Sequence, residues 1–151
     1  MKALLDASAL LNIIRTQGRE ALRYLRGSYV LTLTPYEVGN ALWKEATLIK
    51  RLTLEKAVTL LNAISRIFNC LNVVRPSKEV AVLRLASELR LTYYDSSYVV
   101  VSAMLDVPLI TDDGRLRERL KQKEDKVKEL LQKRVAAYSS DEYLSMSRRS
   151  S

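Results

Sequence analysis

Three observations predict an α/β domain of three layers, with a central, mostly parallel sheet of about four to five strands flanked by helices. Short apolar runs alternate with amphipathic stretches along the chain. The stretches between those runs are long enough to serve as crossover helices, which parallel neighbours require. Hydrophobic residues make up 48% of the 151 residues, enough for one packed core and too many for a disordered chain.

The strand runs are "KALL" (2–5), "YVLTL" (29–33), "LNVV" (71–74), "VPLIT" (107–111) and "VAAY" (135–138), each short, apolar and bounded by turn signals. The helical stretches are 9–15, 18–26, 35–50, 54–69, 78–90, 96–105 and 115–133. Leu42, Trp43, Ala46 and Ile49 make a broad apolar face on the third of these, and Val58, Leu61, Ile64 and Phe68 make another on the fourth. Burial within the monomer accounts for both faces; a dimer or partner surface is the other reading. One domain is expected over 1–144, and "SMSRRSS" (145–151) reads as a frayed tail.

Composition excludes several chemistries. The chain has no histidine, so a His-based triad or a histidine acid–base pair is impossible. Its one cysteine, Cys70, stands in the apolar run "RIFNCLNVV" and reads as a small core residue in a reducing compartment. Zinc favours nitrogen and sulfur ligands, so a metal expected here is one held by oxygen, as Mg²⁺, Mn²⁺ and Ca²⁺ are. No apolar stretch reaches the roughly 20 residues of a membrane helix. The opening "MKALLDASALL" carries an acid inside its apolar part and does not read as a signal peptide, so a cytoplasmic protein is expected.

The net charge of +8 and the pI of about 9.7 point to a polyanionic partner. Residues 114–134, "GRLRERLKQKEDKVKELLQKR", hold nine basic and four acidic side chains. A salt-bridged solvated helix and a phosphate-binding surface both fit this run.

Four acids occupy one kind of place. Asp6 follows the first strand run, Glu37 follows the second in "TLTPYEVGNAL", Asp95 opens a helix in "TYYDSSYVVVSAML", and Asp113 lies in "LITDDGRL". Each has a bland explanation. Asp6, Asp95 and Asp113 suit helix N-caps, and Thr34-Pro35-Tyr36-Glu37 suits a capping box. In a parallel sheet, however, the turns leaving the strands open on one edge, where ligands bind at the switch in strand order. Two carboxylates about 4 Å apart repel by about 4 kcal/mol at an effective dielectric near 20, so converging acids need protons or a cation. A hard divalent ion there, beneath a basic surface, would activate a water and neutralise charge on a phosphodiester.

"LLDASALL", "TPYEVGNAL", "YDSSYVVVSAML" and "PLITDDGRL", in this order and spacing, resemble the motifs of PIN-domain ribonucleases over most of residues 1–120. They are most similar to VapC-type toxins of bacterial and archaeal toxin–antitoxin modules. The resemblance implies Asp6 and Asp95 as principal Mg²⁺ or Mn²⁺ ligands, with Glu37 and Asp113 completing the acidic pocket. Ser8 and Thr111 would supply hydroxyls, and Asn40 would orient Glu37 from the next turn or be an ordinary helix-face residue. Asp113 fits the pattern Thr111-x-Asp-x-x-Leu116, and Asp112 is held in reserve. The family also implies an RNA substrate, a homodimer and a cognate VapB-type antitoxin. The Lys/Arg-rich stretch 117–134 departs from the pattern in length and charge.

The expected activity is a Mg²⁺- or Mn²⁺-dependent endoribonuclease. The alternative is a PIN-like module that binds RNA or protein without cutting. A haloacid-dehalogenase-like phosphatase would need an acid where Ser8 stands, and the four glycines stand too far apart for a phosphate loop.

Overall fold

Strands of two or three residues suffice here, because the central ones, β1, β2 and β4, are buried between two helical layers. The computed structural model describes residues 1–150. The strands β1 (Leu4–Leu5), β2 (Tyr29–Leu31), β3 (Asn72–Val74), β4 (Leu109–Ile110) and β5 (Ala137–Tyr138) form one parallel sheet in the order β3-β2-β1-β4-β5. Leu4 pairs with Tyr29 on one side and with Leu109 on the other. The chain builds outward from β1 to β3, then returns to add β4 and β5 beyond β1. The switch in strand order therefore falls between β1 and β4.

Side chains alternate across the pleat, so adjacent strand residues join different cores. Leu5, Val30 and Ile110 pack with α1 (Ala7–Gln17), α2 (Ala21–Leu25), α3 (Thr34–Trp43), α4 (Leu54–Phe68) and α9 (Ser140–Arg149). Leu4, Leu31 and Leu109 pack with α5 (Glu79–Leu89), α6 (Tyr93–Leu105), α7 (Gly114–Gln122) and α8 (Glu124–Leu131). The central helix of the second layer is α6, buried without interruption from Ser96 to Ala103. Burying valines such as Val99, Val100 and Val101 contributes about 1.5–3 kcal/mol each relative to exposure. That burial clamps the start of α6, where Asp95 stands.

Several elements differ from the sequence expectation. The stretch 115–133 is two helices, because Lys123 leaves the helical region (φ −112°, ψ 25°) and α8 turns to pack on α5. The stretch 35–50 ends in a π turn, Lys44–Leu48, where Ile49 N–H reaches back to the Lys44 carbonyl. There Glu45 receives both guanidinium nitrogens of Arg15, at 3.0 and 2.9 Å. The apolar faces of 35–50 and 54–69 are only partly covered: Leu42 and Ile64 are buried, whereas Trp43, Ile49, Val58 and Leu61 are exposed. Cys70 is half-buried.

The final segment corrects the expectation of a frayed tail at 145–151. Helix α9 continues to Arg149, and only Ser151 lies outside the described residues. A capping box between Ser139 and Glu142 starts the helix. Tyr143 is wholly buried, with its hydroxyl 2.7 Å from the Tyr24 carbonyl and 3.0 Å from that of Met1. Arg148 then reaches Gln17 at 3.2 Å, so contacts to the first layer hold the helix well past residue 144.

Candidate active site

Four elements deliver acids to the carboxyl edge of the sheet. Asp6 follows Leu5 directly, and its N–H donates to the Ile110 carbonyl, so β1–β4 pairing sets where its side chain stands. The Asp6 carboxylate caps α1: Oδ1 accepts the Ala9 N–H at 2.9 Å and the Ser8 hydroxyl at 2.6 Å. Asp113 caps α7 in the same manner, with Oδ1 accepting the Arg115 and Leu116 N–H groups at 2.9 and 3.2 Å. Those two bonds converge on one oxygen and leave Oδ2 open.

Glu37 and Asp95 arrive differently from what the sequence suggests. Helix α6 is capped by Thr92, whose hydroxyl accepts the Asp95 N–H at 3.0 Å, and Asp95 stands one turn inside. The expected capping box at Thr34 and Glu37 does not form either. Thr34, the first residue of α3, is buried against the end of β2, and its hydroxyl takes the Leu31 N–H at 2.9 Å and meets the Tyr98 hydroxyl at 2.7 Å. Tyr98 in turn donates to Glu37 Oε1 at 2.6 Å. A relay from Leu31 through Thr34 and Tyr98 thus ends on the carboxylate and fixes it from inside the core.

The supporting residues divide by contact. The Ser8 hydroxyl links Asp6 to the Asp112 N–H, joining the β1 and β4 turns. The buried Thr111 hydroxyl accepts the Asp113 N–H at 3.1 Å and also reaches the Asp6 carboxylate. Asp112 turns away from the rim: its two oxygens accept the Ser140 N–H and hydroxyl, each at 2.8 Å, which anchors the start of α9. Asn12 also donates to the Ser140 hydroxyl, at 2.7 Å. Asn40 is exposed, and the side chain that touches Glu37 is Tyr98. Tyr98 is the residue that sequence reasoning passed over. Its signal was a buried aromatic with a polar tip one helical turn after Asp95.

The carboxylates influence one another in a chain. Burial pushes the Glu37 carboxyl above its ordinary range, the Tyr98 bond opposes this, and the charges of Asp6 and Asp95 add to the rise. Burial also raises Asp6, partly offset by bonds from Ala9, Ser8 and Thr111 and reinforced by Asp112. Asp95 is raised by burial and by Asp113, against a bond from Thr92. Tyr98 is raised by burial and by the neighbouring Glu37 charge, so its hydroxyl stays protonated and donating. No basic side chain forms an ion pair with Asp6, Glu37, Asp95 or Asp113 among the described residues. Nor, among those residues, do three acidic or thiol side chains stand close enough together to hold one metal ion. The donor set is all oxygen, partly desolvated and charge-strained, which fits a hard divalent cation.

Sequence comparison then places the chain. It is 34% identical over 118 residues to the exonuclease VapC9 of Pyrobaculum aerophilum, covering 78% of this chain and 85% of that protein. The chain belongs to the VapC family of PIN-domain proteins. The ribonuclease VapC1 of Mycobacterium tuberculosis is 31% identical, over 76% of this chain and 88% of its own length. A Pyrobaculum aerophilum protein of known crystal structure superimposes with a TM-score of 0.67 at 31% identity, over 88% of this chain and 91% of its own. A toxin–antitoxin complex from Klebsiella pneumoniae shares the fold at a TM-score of 0.50 and 20% identity, over 74% of this chain and 87% of that one. No family model matches the chain.

Proposed function

We propose that this VapC-family protein is a Mg²⁺- or Mn²⁺-dependent ribonuclease that hydrolyses RNA phosphodiester bonds. The observation that carries the reading is the chain of carboxylates Asp6–Glu37–Asp95–Asp113 at the β1–β4 switch, raised by burial at Asp6, Glu37 and Asp95, raised further by other members at Glu37 and Asp95, and in no ion pair among the described residues. Asp6 and Asp95 would hold the ion, with Glu37 and Asp113 completing the pocket. A bound divalent ion would supply an activated water and offset the charge on the phosphate.

The chain's own residues do the rest. Ser8 and Thr111 hold the Asp6 carboxylate from two sides, and the Tyr98 hydroxyl orients Glu37. Ser8 and Asp113 are exposed, so the rim is open to a strand in mid-length. That openness supports internal cutting, although one relative is named an exonuclease. A circular RNA separates the modes, since an exonuclease leaves it intact and an endonuclease linearises it.

Two protein partners belong to the same proposal. An apolar groove of about 650 Å³ between α1, α2 and α4 is lined by Ile14, Leu22, Leu60 and Ile67 and rimmed by Arg19, Lys56 and Arg66. It suits an apolar segment with acidic flanks, such as a VapB-type antitoxin would provide. The exposed Trp43, Ile49, Leu54 and Val58 offer a separate apolar surface for a homodimer.

Titration calorimetry with Mn²⁺ and cleavage of a labelled RNA test the catalytic reading. Metal uptake with cleavage is expected, and both are expected to fail in Asp95→Asn. Cleavage by Asp95→Asn at the unmodified rate would overturn it. RNA binding without metal uptake or cleavage would leave the binding-module alternative.

A further inference from the structure

The cationic run 114–134 has two structurally different halves. In and beside α8 three of the five cations are paired, Lys126 with Glu129, Lys133 with Asp106 and Arg134 with Glu124, and Lys123 and Lys128 are the exceptions among the described residues. On α7, Arg115 and Arg119 form no ion pair among the described residues. Together with Arg90 they line a cleft of about 450 Å³ whose wall also carries Asp95 and Asp113. Three guanidinium groups thus share one cleft with three carboxylates, Asp95, Asp113 and Glu118, and form an ion pair with none of them among the described residues.

Arg90 is placed by the end of its helix. It ends α5 in the left-handed region, at φ 52°, a place usually taken by Gly or Asn. Asp106 and Gln132 end α6 and α8 in the same way, so the conformation turns the chain and does not by itself set Arg90 apart. The type of cation also matters. The cleft holds only arginines, whereas α8 and its ends carry mostly lysines. A guanidinium fork binds a phosphate through two parallel N–H bonds, which an ammonium cannot do.

We propose that Arg90, Arg115 and Arg119 form a phosphate lane that holds the sugar–phosphate backbone to one side of the bond at the acids. A small anion would satisfy the arginines and gain nothing from Asp95 and Asp113. A strand whose successive phosphates reach both ends uses the whole cleft. The lane rests on the nuclease reading for its substrate, but it is a binding site and its test needs no cleavage.

The test is fluorescence anisotropy of the full-length protein with a short labelled single-stranded oligoribonucleotide in EDTA, across a salt series. Each of Arg90→Gln, Arg115→Gln and Arg119→Gln should weaken binding severalfold. The triple variant should lower the slope of log affinity against log salt by about 2, because each single-strand phosphate contact contributes roughly 0.7. Lys128→Gln, an exposed cation on α8 away from the cleft, should bind as the unmodified protein does. Circular dichroism of the triple variant checks that the exposed or half-exposed changes leave the fold intact.

The proposal is overturned if the triple variant keeps the unmodified affinity and slope, if Lys128→Gln loses as much as the lane variants, or if the unmodified protein fails to bind in EDTA. Failure of the nuclease reading would look different. RNA binding would still depend on the three arginines, and Asp95→Asn would leave any cleavage unchanged.

Discussion

The acidic rim is made of two unlike pairs. Asp6 and Asp113 stand at strand-to-helix turns and each caps a helix with one carboxylate oxygen. Glu37 and Asp95 lie inside the first turns of α3 and α6, cap nothing, and are placed by Tyr98 and Thr92. The first pair serves the fold and the site together. The second pair leaves the helix ends to other residues, so it carries the cost of desolvated, mutually repelling charge with little structural return. A shared sheet edge can therefore acquire a site by adding acids to turns that already needed caps, then completing it from neighbouring helices.

The largest expected effect falls on activity when either pair loses a principal ligand. Asp95→Asn and Asp6→Asn should each reduce RNA cleavage about a thousandfold, since losing a metal's charge stabilisation is worth several kcal/mol. Thermal melts should separate the pairs. Asp6→Ala forfeits a cap worth about 1 kcal/mol, whereas Asp95→Asn removes a strained charge and should keep or raise the melting temperature. A melting temperature for Asp95→Asn well below that of Asp6→Ala would erase the distinction.

Tyr98→Phe comes next. Glu37 loses its donor and Thr34 a partner, so cleavage should fall about 10- to 100-fold. Removing the buried hydroxyl should also cost about 1–2 kcal/mol in stability. Rates and melts on the same preparation check both effects, and Glu37→Gln, which keeps an oxygen acceptor, should lose activity while holding stability.

The metal-free protein should show the strain as a pH dependence. The folded pKa values of Asp6, Glu37 and Asp95 are raised, so the fold favours their protonated forms. Their contribution to stability is complete below the unfolded values of about 3.9–4.3 and is lost as pH rises through the raised folded ones. Melts in EDTA from mildly acid to neutral pH should therefore decline relative to an Asp6→Asn/Glu37→Gln/Asp95→Asn variant. Mg²⁺ should reverse the decline, by about 2.7 kcal/mol at a hundred times its dissociation constant.

The smallest effect sharpens the choice between neighbours. Asp112→Ala leaves the Ser140 N–H and hydroxyl without their acceptor, so it should cost about 1–3 kcal/mol of stability while cleavage survives. Asp113→Ala should cost about 1 kcal/mol and impair cleavage. Reversed results on a melt and a rate measurement would make Asp112 the fourth acid.

Much of the fold was legible locally. All five strand runs contain the observed strands, because runs as short as "LITDDG" carry an apolar core, a polar stop and a helix cap within a few residues. Asp6 and Asp113 could be read as caps for the same reason. Thr92, by contrast, lies three residues before Asp95 and supplies the cap that the acid was expected to make. Thr34 offered a capping pattern, yet burial against the end of β2 gave its hydroxyl to Leu31 and Tyr98. The break at Lys123 depends on where α8 docks, which no window of the sequence contains.

The chain's composition alone determined the chemistry on offer: no imidazole, one thiol, and carboxylates next to strand ends, so hard oxygen donors or nothing. Only the tertiary structure decided which of those donors face one another. It turned Asp112 toward Ser140, set Tyr98 on Glu37 from 61 residues away, and brought Arg90 beside Arg115 and Arg119. The physical reason is range. Caps and hydrophobic alternation are settled within a turn or two of chain, whereas a relay or a cleft exists only after distant elements have packed.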